Sequence, residues 1–318
     1  MALSLPVLLL FALGGDAGPQ VPPASGGQEP ESYRISVNVD LVVLRATVCD
    51  RKGRLISDLR EEDFEVYENS VRQFIRLFRR EDTPVTVGLV VDHSGSMRQK
   101  LNDVITAARI FVQSSNAEDE MFVVNFNENV TLGLPAAIQF TNSSAELERA
   151  IGSALATGKT ALYDAIAKAL ERLPAGRRDK KVLIVISDGD DTASAHSLAQ
   201  AMKMAEQSNA IIYTVGLFDH ADPDAHPGVL TRLAQATGGE AFFPEEHSAA
   251  VAICERIARD IRNQNTIGYV PTDATRDGSY RAIRVLARST DRGKLLVRTR
   301  AGYIAGGVSK PVQDKGAR

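Results

Sequence analysis

The sequence predicts an α/β fold in which a doubly wound, mostly parallel sheet is inserted between two flanking β segments. Two observations predict this class. Between residues 84 and 262, nearly continuous apolar runs alternate with amphipathic stretches of helical period. On both sides of this region, the spacing changes to the two-residue alternation that is typical of strands. The 318 residues are enough for one large domain or two moderate ones.

The strands of the central sheet are predicted from four apolar runs, because a strand that is covered on both faces is apolar along its whole length. These runs are residues 85–91, 121–126, 182–186 and 211–215. Between the runs, residues 101–111 and 162–173 carry apolar side chains on one helical face, and a last helix is predicted from about residue 248 to 261. Strands that alternate with helices in this way form a parallel sheet.

The flanking segments, residues 33–80 and 266–305, have the pattern of short strands separated by turns. Strands are predicted at residues 35–48, 64–68, 266–270, 280–287 and 294–300. Neither segment has enough strands to be stable alone in water. Since the termini of a compact domain often lie close together, we expect the two segments to pack as one small β-sandwich, with residues 83–263 inserted as the central domain.

The N-terminal residues 1–17 have features of a signal peptide. Residues 3–13 form an apolar run that is too short to span a bilayer, and small residues precede a cleavage site after Ala17. The run contains no Lys or Arg, which leaves open an apolar leader that is not cleaved. We expect export to the periplasm or the cell exterior, and no integral membrane segment in the mature chain. Residues 18–32 are rich in Pro, Gly and Ser and are expected to be a flexible linker, and residues 306–318 a tail.

The composition excludes several classes of function. With 37 Lys and Arg against 40 Asp and Glu, the formal net charge is −3, and no long run of Lys or Arg occurs. Nucleic acid is therefore not an expected partner. The two cysteines, Cys49 and Cys254, supply neither a disulfide framework nor a zinc cluster, and we expect both to be free packing residues.

A candidate metal-binding segment follows the first strand of the central sheet. The strand at residues 85–91 leads directly into Asp92, Ser94 and Ser96, after which a helix begins. In an open parallel sheet, ligands bind outside the carboxyl ends of the strands. One carboxylate and two hydroxyls are hard oxygen ligands of the kind that Mg²⁺ prefers. Taken alone, the segment is equally typical of a helix N-cap, where Ser and Asp are common.

Two further segments supply oxygen ligands at the same predicted edge. The strand at residues 182–186 ends just before Asp188. Thr160 lies in the loop that opens the helix beginning near Ala161, which places a hydroxyl at a loop tip. Three separate segments with suitable oxygen atoms make a metal site a better interpretation than a cap.

Taken in order, these residues resemble the metal-ion-dependent adhesion site of von Willebrand factor type A domains, which has a D-x-S-x-S segment, a later Thr and an Asp before Gly. The matching residues are Asp92, Ser94, Ser96, Thr160 and Asp188. Residues 233–243 are similar to the late part of such domains. The flanks, around residues 48–68 and 301–303, resemble a group of related bacterial secreted proteins.

This resemblance implies adhesion-type protein binding that depends on Mg²⁺, with Mn²⁺ or Ca²⁺ as alternative ions. Two carboxylates, Asp92 and Asp188, neutralise a divalent ion, while the hydroxyls add no charge. Such a site can accept one more anionic oxygen, which is expected to be an Asp or Glu carboxylate of a partner protein. In the family, ligation by the Thr accompanies a ligand-bound form in which the second Asp acts through water, so Thr160 and Asp188 are expected to exchange direct contact with the ion.

Neighbouring residues are expected to support the ligands or to contact the partner. They are His93, Gly95, Gly158, Asp190 and Asp191. His93 is expected to point to solvent or to the neighbouring loop. Asp190 and Asp191 precede a helix that is expected near Ser194, so capping of that helix is their predicted main role.

Two other functions stay open at this point. The domain could hold a neighbouring subunit in an envelope assembly, as a structural component. It could also be a Mg²⁺-dependent phosphoryl-transfer enzyme, since such enzymes place a carboxylate at the end of the first strand. Ser94, however, stands where such an enzyme has a second Asp, and the chain contains neither a G-x-x-x-x-G-K-[ST] loop nor a G-x-S-x-G turn. We therefore expect a binding protein and not an enzyme.

Overall fold

The structure is a computed structural model that describes residues 41–80, 82–189, 191–218, 227–289 and 291–306. The expected signal peptide and linker, residues 33–40 of the first β segment, Asp190 and nearly all of the expected tail lie outside the described residues. Within the described ranges, no helix combines the length and the hydrophobicity that crossing a membrane requires.

The described ranges contain fourteen strands and six α-helices. The strands before the central domain are β1 (Val42–Cys49), β2 (Phe64–Glu68), β3 (Val71–Gln73) and β4 (Ile75–Arg79). The strands of the central domain are β5 (Val85–Asp92), β6 (Glu120–Phe126), β7 (Val130–Leu132), β8 (Lys180–Ser187), β9 (Ala210–Gly216) and β10 (Ala241–Phe242). Its helices are α1 (Leu101–Ser114), α2 (Ser144–Gly152), α3 (Leu162–Arg172), α4 (Leu198–Gln207), α5 (Pro227–Thr237) and α6 (Ala250–Arg262). The last strands are β11 (Asn265–Tyr269), β12 (Tyr280–Ala287), β13 (Leu296–Arg298) and β14 (Gly302–Ile304).

The central sheet has six strands in the order β10-β9-β8-β5-β6-β7. All neighbouring pairs are parallel except β6 and β7. Every residue of β5, β6 and β9 is buried, as the continuous apolar runs predict for strands packed on both faces. Their side chains form one core cluster with apolar residues of the surrounding helices. The predicted doubly wound, mostly parallel sheet is confirmed.

The flanking segments form two antiparallel four-stranded sheets, in the orders β13-β1-β11-β4 and β14-β12-β2-β3. Each sheet contains strands from both sides of the central domain. Side chains of the two sheets share one buried apolar cluster, which includes Leu44, Val66, Tyr269 and Val285. The expected small β-sandwich is therefore present, and it is built from segments that lie far apart in sequence.

The central domain joins the sandwich at the amino end of its sheet. Strand β4 ends six residues before β5 begins, and β11 begins shortly after α6 ends. The two connections run side by side, because Thr266 on β11 pairs with Arg79 on β4. Arg262 at the end of α6 donates to the Asp82 carboxylate across 2.8 Å. The carboxyl ends of β5 and β8, where the metal site is predicted, lie at the opposite end of these strands.

Both cysteines lie in the described part of the chain. Cys49 and Cys254 are both free thiols and both are buried. Cys254 lies on α6 in the core cluster together with Ile257 and Ile261. The prediction that both are packing residues is confirmed.

Candidate metal site

The carboxyl ends of β5 and β8 lie side by side and bring two predicted segments together. The strands are parallel neighbours, with Val91 paired to Ile186. Asp92 ends β5 and Ser187 ends β8, and the Ser187 hydroxyl donates to Asp92 Oδ2 across 2.5 Å. Asp188 follows directly, so both predicted carboxylates stand at the same edge of the sheet.

The D-x-S-x-S segment turns from β5 into a short 3₁₀ helix, Gly95–Gln99. The Ser94 amide donates to Asp92 Oδ1 across 2.7 Å, which fixes the carboxylate at the start of the turn. The hydroxyls of Ser94 and Ser96 lie 3.1 Å apart, and Ser96 Oγ donates to Asp188 Oδ1 across 2.8 Å. Four of the five predicted ligand residues therefore belong to one hydrogen-bonded network. Asp92 and Ser94 are buried, and Ser96 is exposed at the surface of the site.

The fifth predicted residue, Thr160, reaches this edge on the loop that precedes α3. The carbonyl of Gly158 in this loop accepts a hydrogen bond from the Gly95 amide across 3.2 Å, and the Thr157 amide donates to the His93 carbonyl across 2.9 Å. Thr160 itself is held by the Thr192 side chain, which accepts from its amide across 3.0 Å. All five predicted residues are thus located on three contacting segments.

The loop conformation requires glycine at position 158. Gly158 has φ of +80°, in the left-handed region that favours glycine. A Cβ added at this position would lie 1.6 Å from the Glu128 carboxylate. The same carboxylate accepts from the Lys159 amide across 2.9 Å. Glu128 therefore clamps the loop that carries Thr160.

The expectation for His93 is wrong. The side chain is 1% exposed and turns into the protein, away from solvent. Its ring nitrogens lie 3.1 Å from the Val91 carbonyl oxygen and 2.9 Å from the Ile151 carbonyl oxygen. The ring therefore ties the turn after β5 to the C-terminal end of α2, and it is not available for contact with a partner.

Asp191 caps a helix as expected, but the helix is α3 and not the one that follows Asp191. The helix expected near Ser194 begins only at Leu198, and Ser197 caps it. Asp191 instead accepts from the Tyr163 amide in the first turn of α3 across 3.2 Å, and also from the Ser194 hydroxyl. Its carboxylate thus stabilises the N-terminus of the helix that follows Thr160.

The electrostatics of Asp92 distinguish it from an ordinary surface carboxylate. Burial raises the pKa of the Asp92 carboxyl above its usual range, and the negative charge of Asp188 adds to this effect. Hydrogen bonds from Ser187 and Ser94 act in the opposite direction and favour the charged form. Among the described residues these donors are an amide and a hydroxyl, which carry no charge. A cation at this position would remove the cost of burying the carboxylate.

Lys100 is a residue of the candidate site that the sequence motif does not indicate. Its ammonium group donates to Asp188 Oδ2 across 2.6 Å, and the two side chains are only 3% and 1% exposed. Lys100 is the N-cap of α1, where the helix dipole disfavours a positive charge. A lysine at a helix N-terminus is thus a signal in the sequence that a carboxylate lies nearby.

The donor set fits a small, hard divalent ion. The carboxylates and hydroxyls of the site are oxygen ligands, and Mg²⁺ needs only one or two protein carboxylates because it retains water in its shell. Across the described part of the chain, no group of three Asp, Glu, His or Cys side chains is arranged to hold a metal ion. A metal at this edge would therefore depend on the hydroxyls of Ser94, Ser96 and Thr160.

Comparison with known proteins identifies the family. Residues 86–255, more than half of the chain, match the family model of the von Willebrand factor type A domain. The chain is similar to inter-alpha-trypsin inhibitor heavy chain H2 of Homo sapiens, with 25% identity over 211 residues, which cover 61% of this chain and 22% of that protein. It is also similar to uncharacterized protein sll0103 of Synechocystis sp., with 24% identity over 183 residues, which cover 57% of this chain and 42% of that protein. The chain thus spans less than half the length of these relatives.

A solved structure has the same fold. The von Willebrand factor type A protein from Catenulispora acidiphila gives a TM-score of 0.52 at 16% identity, and the match covers 85% of this chain and 64% of that chain. At this identity the likeness is one of fold alone. Together with the family match over residues 86–255, the doubly wound sheet leads to one conclusion: this chain belongs to the von Willebrand factor type A domain family.

Proposed function

We propose that this protein binds a partner protein through a divalent metal ion, which is most readily Mg²⁺. Asp92, Ser94 and Ser96 would bind the ion, and Thr160 and Asp188 would exchange direct contact with it. The observation that carries this proposal is the Asp92 carboxylate, which is buried at a strand end and bonded to neutral donors. Domains of this family commonly mediate contacts between proteins, which supports binding as the general class of function.

The chemistry of the ion favours an acidic group on the partner. Mg²⁺ requires an octahedral set of six oxygen atoms, and the chain offers only a few, so water or a partner supplies the others. The exposed side of the site is formed by Gly95 and Ser96, and Leu155 is also exposed on the loop before Gly158. A carboxylate from an Asp or Glu side chain could reach the ion from this side. We further propose that the protein acts outside the cytoplasm, on the basis of its apolar leader.

A calorimetric titration with Mg²⁺ tests the proposal. We expect Asp92→Ala to abolish binding of the ion and to leave the circular dichroism spectrum unchanged, because Asp92 supplies a direct ligand at the end of a strand. The matched control is Asp119→Ala. Asp119 is also a buried aspartate, but it precedes β6 at the amino end of the sheet and accepts from the Val85 amide. Equal Mg²⁺ affinity in the wild type and the Asp92 variant would refute the proposed site.

A further inference from the structure

The two carboxylates of the candidate site have different surroundings. Both oxygens of Asp188 are engaged by side chains of the protein: Oδ1 accepts from the Ser96 hydroxyl and Oδ2 accepts from the Lys100 ammonium group. Asp92 is bonded to neutral donors, Ser94 and Ser187. The protein thus places its own cation on one carboxylate and leaves the other for an external cation.

Lys100 is tied to the candidate site by its buried ion pair with Asp188. Its side chain is almost fully buried, and burying an ammonium group is costly unless a carboxylate pairs with it. It also stands at the N-terminus of α1, where the helix dipole opposes a positive charge. An apolar residue would avoid the dipole cost, but it would leave the Asp188 carboxylate buried without this cation. Lys100 is therefore tied to Asp188, a predicted ligand residue of the site.

We propose that Lys100 makes the site select acidic partners, by holding Asp188 and cancelling its charge. This inference rests on the proposed function. Among the described side chains, Asp92, Asp188 and Lys100 together carry one negative charge, and a divalent ion converts the charge of this set to one positive charge. A carboxylate from the partner then neutralises the site. Without Lys100 the metal-bound site would already be neutral, and a carboxylate would make it negative.

The same charge weakens binding of the ion when no partner is present. The ammonium group repels a divalent cation, and it competes with the ion for Asp188. The metal ion and an acidic ligand therefore bind cooperatively. The ligand carboxylate offsets the positive charge of Lys100 that repels the ion, and the ion offsets the negative charge of the carboxylates that repels the ligand. By linkage, the ligand increases the affinity for the metal by the same factor as the metal increases the affinity for the ligand.

Titration of Mg²⁺ by calorimetry, and of Mn²⁺ by water proton relaxation, tests this role in the full chain. We expect Lys100→Met to bind either ion about tenfold more tightly than the wild type, because a positive charge is removed. Sodium acetate, compared with sodium chloride at equal ionic strength, should increase the metal affinity of the wild type and have a smaller effect on the variant. Lys100→Gln retains a hydrogen-bond donor without the charge, and it should change the affinity in the same direction.

The matched control is Lys180→Met. Lys180 is also buried, but it begins β8 at the end of the strand opposite to Asp188. Its loss should leave metal affinity unchanged. If the wild type binds metal and both Lys100 variants bind it equally or more weakly, this inference is refuted and the proposed function stands. If Lys100→Met binds metal and the wild type does not, competition by Lys100 is supported. If none of these proteins binds metal, both proposals are refuted.

Discussion

Two buried aspartates at opposite regions of the central domain have contrasting partners. Asp260, on α6 near the sandwich, accepts from Arg298 Nη2 across 2.8 Å and from the Tyr213 hydroxyl across 2.9 Å. Asp92, at the opposite edge, accepts from an amide and a hydroxyl. Burial raises the pKa of both carboxyl groups, and only for Asp260 does an arginine charge act strongly against this effect.

The difference separates a charge-compensated junction from the candidate metal site. At the junction with the sandwich, Arg298 also pairs with Glu240, which in turn pairs with Arg256 across 2.7 Å. The charges of this region are therefore compensated within the protein, and the compensation links β13 of the sandwich to α6. At the candidate metal site Lys100 pairs with Asp188, whereas the donors described for Asp92 carry no charge, so burial of Asp92 costs stability. Proteins commonly tolerate such a loss of stability where function requires it.

The largest effect is expected at the junction. Arg298→Met should lower the free energy of unfolding by about 3 kcal/mol, because it leaves the charge of Asp260 buried without a cation. Mg²⁺ affinity should not change. Urea unfolding and calorimetry would measure the two quantities. The control, Arg292→Met, removes a more exposed arginine that pairs with Asp58, and little change is expected. Loss of metal affinity in Arg298→Met would show that the two regions are coupled.

A pH effect of intermediate size is expected from Lys180, whose ammonium group donates to the Ile261 carbonyl at the junction. Burial lowers the pKa of Lys180 to about 7. The unfolded chain keeps this proton up to a much higher pH, so the unfolded state binds more protons above pH 7 and stability should rise with pH. The gain between about pH 7 and 9 is up to about 2 kcal/mol. Urea unfolding across this range should show a smaller rise in Lys180→Met. An identical rise in both proteins would mean that Lys180 is not the source.

The smallest effect, and the one most specific to the comparison, is expected from neutralising each aspartate. Asp92→Asn should raise the stability of the metal-free protein at pH 7 by about 1 kcal/mol. The reason is that the raised pKa of Asp92 makes its charged form unfavourable for folding, and this cost grows as the pH rises through that pKa. Asp260→Asn should instead destabilise the protein, since the Arg298 guanidinium loses one of its two carboxylate partners, Asp260 and Glu240. Urea unfolding in the presence of a chelator measures both, and a change of the same sign in the two variants would contradict the distinction.

The sequence predicts the fold and the site where local patterns determine them. Continuous apolar runs indicate the strands β5, β6, β8 and β9, because burial on both faces leaves little room for polar residues. The order of strands and helices then places the carboxyl ends of β5 and β8 at a common edge. The sequence pattern alone therefore places Asp92 and Asp188 at this edge, where the structure has them.

The features that local sequence patterns do not predict depend on contacts between distant residues. His93 is buried because its ring reaches the Ile151 carbonyl, 58 positions away. Lys100 and Asp188 are 88 positions apart. Asp191 stabilises a helix that precedes it in the sequence. Strand β4 escapes prediction for another reason: it is an edge strand with arginines at positions 76 and 79, so its apolar residues do not alternate.

The edge formed by β5 and β8 is proposed to bind a divalent metal ion. A crystal structure of the protein grown with Mn²⁺, with anomalous scattering to locate the ion, tests it most directly. Mn²⁺ is chosen because it takes oxygen ligands similar to those of Mg²⁺ and has a usable anomalous signal. We expect one anomalous peak at bonding distance, about 2.1 Å, from oxygens of Asp92, Ser94 and Ser96. A peak elsewhere, or no peak at this edge with the Lys100 ammonium group still on Asp188, would contradict the claim.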